Sequence, residues 1–194
     1  MLNIKKGKPW VFWPSSICET FPESPANLIL SGDKSFQFNI DFILKEHVLE
    51  QSTVFTLIPK YTGLDLFPNQ TSITVTFEDK VEYYRFDPLV KLGEVTNFKF
   101  IHQPKSYLKI FINNIEVVNE DLSNRVFGIC DAPHIVFGAG NFPKNNFNLN
   151  YTELDLLRFS VFQDGNLLAD HFFEERIFDK YVDVTGNLNF IHKL

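Results

Sequence analysis

Cysteine is almost absent from this chain. Cys18 and Cys130 are the only two in 194 residues, and no C-x-x-C pair occurs. A disulfide scaffold and a cysteine-built zinc site are therefore excluded. Two free, buried thiols are the expected state, with a single Cys18–Cys130 bridge as the alternative. Positive charge is short as well. Eighteen Lys and Arg stand against 24 Asp and Glu, for a net charge of −6, whereas nucleic-acid binders show a basic patch or stripe. The one local cluster, Lys5, Lys6 and Lys8, reads as a solvated N-terminal segment. Nucleic acid is not an expected partner.

Long apolar runs are also missing. Trp10-Val11-Phe12-Trp13 is bracketed by Pro9 and Pro14 and is too short for a signal-peptide core. No segment approaches the about 20 apolar residues of a membrane-spanning helix. The expectation is a chain made and folded in a cytoplasm, with neither export nor a membrane partner. Asn69-Gln70-Thr71 and Asn150-Tyr151-Thr152 then match the N-glycosylation pattern by chance. Phosphate loops and nucleophile elbows do not occur, and Gly138-Ala139-Gly140 is too short to cradle a phosphate. His47, His102, His134, His171 and His192 are scattered singly, in no metal-ligand spacing.

What the chain has in abundance is phenylalanine, 22 residues of it. These side chains alternate with polar ones. Ser35-Phe36-Gln37-Phe38-Asn39-Ile40-Asp41-Phe42 is the cleanest case, and Ile73 to Glu78 and Asn97 to Phe100 repeat it. A period of two puts all the apolar side chains on one face of a strand. Burying each Phe or Ile is worth roughly 1.5–3 kcal/mol, so that face demands a cover, and a second sheet is the usual one.

Strands are expected over Leu28–Leu30, Ser35–Leu44, Thr53–Ile58, Leu64–Phe67, Ile73–Phe77, Val81–Phe86 and Val95–His102. Further along they are expected over Tyr107–Ile112, Ile115–Val118, His134–Gly138, Leu154–Gln163, Leu167–Phe173 and Val182–Ile191. Asn113-Asn114 and Asp164-Gly165 are tight-turn signals. Residues 45–51 carry helix formers and predict one helical turn. The fold class is all-β, an antiparallel two-sheet jelly-roll sandwich. Residues 1–27, rich in proline, are expected to form an irregular N-terminal arm packed on the sandwich or on a partner, and 28–194 a single domain.

Several segments in order resemble the concanavalin A-like, laminin G-like superfamily. They are the long strand Ser35 to Leu44, the hairpin Tyr107 to Val117 and the short strand Ile135-Val136-Phe137-Gly138. Leu154 to Phe162 with Asp164-Gly165 and Leu167 to Asp170, and the ending Val182 to Asn187, complete the series. The pattern is most similar to phage and gut-bacterial members. The superfamily includes lectins, adhesion modules, glucanases and virion proteins, so the resemblance leaves function open.

The glucanase branch carries its carboxylates on one strand as Glu-x-Asp-x-Glu, where alternate acids line a groove. The matching stretch is Glu153-Leu154-Asp155-Leu156-Leu157-Arg158. The third acid falls on Leu157, or on Arg158 with one extra residue, and neither can act as a general acid. Glu153 and Asp155 therefore read as acids on the outer face of a partly buried strand, and no catalytic residue is expected.

Candidate ligands remain. Sugar recognition needs an exposed aromatic ring with polar partners. Tyr61, Tyr83, Tyr84, Tyr107 and Tyr151 qualify by type, and Tyr151 beside the Asn-rich loop, with Asn146 and Asn148, is the preferred set. Calcium takes oxygen ligands, for which Asp131 and Asn141 are candidates, although Asn-rich loops are also plain turn formers. No other cofactor is expected. Trp10, Phe12 and Trp13 are the expected partner-docking residues of the arm. The leading functional expectation is a non-enzymatic virion component of a phage, a capsid decoration or tail-associated protein assembled in the host cytoplasm. Its partners would be other virion proteins or further copies of the chain. The alternative is a stand-alone carbohydrate-binding lectin module that meets cell-surface glycans.

Overall fold

The computed structural model describes residues 1–7, 10–12, 33–58, 62–128, 134–139, 150–172, 180–182 and 190–193. Among these, every regular element is a strand: β1 (Leu2–Ile4), β2 (Trp10–Phe12), β3 (Phe36–Leu44), β4 (Ser52–Ile58) and β5 (Thr62–Phe67). These are followed by β6 (Gln70–Thr76), β7 (Val81–Phe86), β8 (Val95–Gln103), β9 (Tyr107–Ile112) and β10 (Ile115–Asp121). The last are β11 (His134–Phe137), β12 (Leu154–Gln163), β13 (Asn166–Phe172), β14 (Lys180–Val182) and β15 (Phe190–Lys193). They form two antiparallel sheets. The seven-stranded sheet runs β1-β12-β3-β8-β9-β10, with β13 also on β12, and the eight-stranded sheet runs β14-β15-β2-β11-β4-β5-β6-β7.

The alternation along β3 works as its sequence predicts. Phe36, Phe38, Ile40, Phe42 and Leu44 are all buried, while Gln37, Asn39 and Asp41 on the other face are half-buried. β3 lies between β12 and β8, so its apolar face is the middle of the core. Phe38 stacks on Phe100 of β8 at 4.8 Å and meets Phe55 of the opposite sheet edge-on at 5.8 Å. Phe137 and Phe159 make a second edge-on contact between the sheets at 5.3 Å. Each such pair adds about 0.5–1.5 kcal/mol to the area it buries. A polar ring, His102, stands at the end of this inner face. His102 is 1% exposed, packed on Phe36 and Phe127, and its Nδ1 donates to the Lys34 carbonyl at 3.0 Å. Its Nε2 has no hydrogen-bond partner. Burial pushes the ring's pKa down to about 4, against a smaller upward pull from the Lys34 bond.

Local turn chemistry holds too. Asn113 and Asn114 have φ of 52° and 64°, and Asp164 and Gly165 have 49° and 80°. Two successive positive φ values match the twist of the flanking strands, which is why Asn-Asn and Asp-Gly close these hairpins.

One expectation fails. Residues 45–51 form no helix. An isolated helical turn fixes several residues for one hydrogen bond, and here Lys45 is tied to β12 instead. Its backbone N–H donates to the Glu153 carbonyl at 3.0 Å, and its Nζ meets Asp155 at 3.1 Å. The described parts of the N-terminal arm are strands of the sandwich itself. Residues 2–4 pair with β12, and residues 10–12 pair with β11 on one side and β15 on the other. Strands of three residues show no readable period, so only their tertiary partners reveal them. Leu28–Leu30 and the two cysteines lie outside the described residues.

One side of the sandwich is closed by charge. Arg125 lies 3.7 Å from the centre of the Phe77 ring and donates to Glu82 of β7 and Glu120 of β10, both at 3.0 Å. It joins the edge strand of one sheet to the edge strand of the other. Lys80 and then Arg125 hold the Glu82 carboxyl below its ordinary pKa.

Candidate functional site

The expected site residues do not gather. Tyr151 is half-buried and packs on Val136 and Ala139, so it serves as a packing residue on the outer side of β11. Asn146 and Asn148 lie outside the described residues, as do the calcium candidates Asp131 and Asn141. No group of three or more His, Cys, Asp or Glu that could hold a metal occurs among the described residues. Trp10 is 7% exposed and belongs to the core, in a strand bonded on both sides. Its side chain is taken up by this chain's own fold, which removes it as a docking residue. The backbone of Phe12 belongs to the same strand, and Trp13 is outside the described residues.

The paired acids are occupied as well. Asp155 is 2% exposed rather than solvated, accepting from Asn3 Nδ2 at 2.7 Å and pairing with Lys45. Glu153 pairs with Lys5 at 2.7 Å. Leu157 falls where the β12–β3 register shifts, between Leu156 and Arg158. The two acids fasten β1 and the segment after β3 to β12.

A groove lies elsewhere, on the outer face of the eight-stranded sheet. β4, β5 and β6 are buried on both faces, and their outward residues are short and polar. Cross-strand register places Thr53, Asp65, Ser72 and Arg85 in one row and Thr56, Gly63, Thr74 and Tyr83 in the next. The inward partners Leu64, Ile73 and Tyr84 form the intervening row and pack on the core. The groove encloses 420 Å³ and, among the described residues, is lined by Asp65, Ser72, Thr74, Tyr83 and Arg85 of β5 to β7 with Gln51, Phe67, Val81 and Asn150.

Its floor and rim differ sharply. Asp65, Ser72 and Thr74 are at most 4% exposed, whereas Tyr83 is 64% exposed. Asp65 accepts from Thr53 Oγ1 at 2.6 Å, which fixes its carboxylate in the floor. Gly63 keeps the second row shallow, because a Cβ there would stand 2.5 Å from the Phe55 carbonyl oxygen. Asn150 is held beside the groove by its carbonyl, which accepts from the Thr53 N–H at 3.0 Å. The arrangement can offer a ring face, hydroxyls, one carboxylate and one guanidinium to a polar ligand.

Tyr83 was recognisable by residue type. Arg85, Asp65, Ser72 and Thr74 were not, because β5 to β7 must be aligned before they share a face. The one signal present was alternation, Ser72-x-Thr74-x-Thr76 and Val81-x-Tyr83-x-Arg85, read as plain strand polarity.

No protein-family model matches the sequence, and no curated protein matches it. Similarity appears among solved structures. The binding domain of botulinum neurotoxin serotype D superposes with a TM-score of 0.52 at 14% identity, covering 86% of this chain and 39% of that one. A botulinum neurotoxin type C structure, described for its interaction with two ganglioside molecules, gives 0.47 at 15% identity, covering 70% of this chain and 33% of that one. An alginate lyase of polysaccharide lyase family 7 gives 0.47 at 15% identity over 68% of this chain and 60% of that one. The chain spans about a third of the length of the toxin structures it matches. At these identities the likeness concerns the fold alone: an all-β, jelly-roll-like sandwich of two antiparallel sheets.

Proposed function

We propose that the protein is a non-catalytic carbohydrate-binding module whose site is the groove on the outer face of the eight-stranded sheet. The observation that carries this reading is Tyr83, an exposed ring standing beside a sunken floor of Asp65, Ser72 and Thr74. A sugar has an apolar ring face, which stacks on an aromatic side chain, and a rim of hydroxyls, which exchange hydrogen bonds with hydroxyl and carboxylate groups. The groove volume of 420 Å³ falls within the range of small-ligand sites, about 300–1,000 Å³. Among its described lining residues Asp65 is the only carboxylate, and hydrolysis of a glycosidic bond uses two. Binding without cleavage is the role this set serves. On a virion surface, the setting that the sequence resemblance implies, such a module would attach the particle to cell-surface glycans.

The test is a glycan array with and without calcium, followed by titration of the best ligand. Tyr83→Ala should weaken binding about tenfold, the equivalent of about 1.4 kcal/mol, with the melting temperature unchanged because the ring is exposed. Phe111→Ala, on the outer face of the other sheet, should leave affinity as it was. An array without any bound glycan, or a Tyr83→Ala protein that binds like the parent, overturns the proposal.

A further inference from the structure

We infer that the sugar taken by this groove carries an anionic substituent, a carboxylate or a sulfate, and that Arg85 holds it. The inference rests on the reading of the groove as a glycan site and names the class of glycan.

Three arginines are described in the structure, and two are already neutralised. Arg125 is shared between Glu82 and Glu120, and Arg158 is clamped by both oxygens of Asp170. Arg85 forms no ion pair or side-chain hydrogen bond among the described residues. It is exposed, lines the groove, and stands two residues from Tyr83 on the same face of β7. Same-face neighbours on a strand are about 6.6 Å apart at Cα. A sugar ring stacked on Tyr83 therefore brings a ring substituent within reach of the guanidinium. That group presents five N–H donors in a planar fork, which matches the two oxygens of a carboxylate or the three of a sulfate, and it is weakly hydrated.

The floor sets the orientation. Asp65 lies in the same cross-strand row as Arg85, with Ser72 between them. Its carboxylate repels an anion and accepts from hydroxyls. A ligand with its acidic group toward the β7 edge and its hydroxyls toward β5 satisfies both ends, whereas the reverse placement satisfies neither. The protein's net charge of −6 repels acidic glycans at long range, so their capture requires a local unpaired cation, and Arg85 is placed to be one.

The experiment uses ligand pairs that share a backbone. Calorimetric titrations with a galacturonate hexasaccharide, its methyl ester, a sulfated galactan oligosaccharide and the unsulfated galactan are made on the full chain. The same titrations are made on Arg85→Gln, Arg85→Lys and Tyr83→Ala. At least one acidic ligand should bind about two- to fivefold more tightly than its neutral counterpart, as expected of a solvent-accessible charge pair in a groove. The responding pair tells carboxylate from sulfate. Arg85→Gln should erase that preference by weakening the acidic ligand more than its neutral counterpart, Arg85→Lys should restore part of it, and Tyr83→Ala should weaken acidic and neutral ligands alike. Equal affinity within both pairs, or a preference that survives Arg85→Gln, overturns the anionic assignment and leaves the glycan site standing. Absence of binding to all four ligands and to the glycan array removes both.

Discussion

The two outer faces of this sandwich are built from the same alternating strands and end up with opposite characters. On the seven-stranded sheet the outward groups are spent on one another. Gln37 donates to Asn39 at 3.1 Å, Asn39 donates to Ser160 at 2.9 Å, Arg158 grips Asp170, and Lys109 pairs with Glu116 at 3.0 Å. On the eight-stranded sheet the outward groups are small and sunken, and the cation Arg85 stands at the rim with no side-chain partner among the described residues. A face whose charges are internally satisfied has little to offer a ligand. A face with short side chains, an exposed ring and an unmatched charge has both the room and the reason to bind.

Three measurements press on that contrast. The largest effect belongs to the inner side of the seven-stranded sheet, at His102. Its pKa in the fold is about 4, while an unfolded histidine takes up its proton near the ordinary value of about 6.5. As pH falls, the unfolded chain binds the proton first. The stability present above pH 6.5 is therefore lost progressively down to about pH 4, by roughly 3 kcal/mol in total. Urea unfolding at pH 7 and pH 4.5 should show this loss in the parent and a smaller one in His102→Phe. Equal losses in the two would transfer the effect to the carboxylate pairs.

A medium effect is expected in the groove floor. Gly63→Ala places a methyl group against the Phe55 carbonyl and should cost about 2 kcal/mol through backbone displacement, read from the thermal midpoint. The smallest effect is expected on the opposite face. Arg158 is 41% exposed, so Arg158→Ala should cost less than about 1 kcal/mol despite its two-pronged bond to Asp170. It should also leave glycan affinity untouched. A larger cost for Arg158→Ala than for Gly63→Ala would reverse the contrast between a structural groove floor and a forgiving outer face.

How far these features were legible in the sequence depends on the range over which each is determined. β3 and β8 were readable because period-two burial is a property of neighbouring residues, and the Asn113-Asn114 and Asp164-Gly165 hairpins because positive φ is a property of the turn residues themselves. β1 and β2 were hidden. Nothing in Leu2–Ile4 or Trp10–Phe12 announces a strand until β12, β11 and β15 are in place beside them. The place of Trp10 is hidden for the same reason, since its partner is the core. The groove was hidden one level deeper. Tyr83 was visible by type, but its association with Thr74, and that of Arg85 with Ser72 and Asp65, is a fact of register across three strands. The hydroxyls of β6 look like solvent-facing polarity in the sequence, and in the fold they are a buried floor.

The position of β2 has a consequence for how the protein comes into being. Phe12 stands across from Ile135 of β11 on one side and from Ile191 of β15 on the other. During synthesis the third residue of β2 leaves the ribosome long before either neighbour exists, and β15 is made well after β11. Until β15 is made, β2 stands as an open edge of the eight-stranded sheet, with β11 and β4 to β7 on its other side. Closing it joins distant segments, the kind of step that makes β topologies fold slowly and leaves unpaired edges open to aggregation meanwhile. The hairpins from β3 to β10 can form early as local units, while the sheet that carries the groove is joined across β2 only after β15 is made.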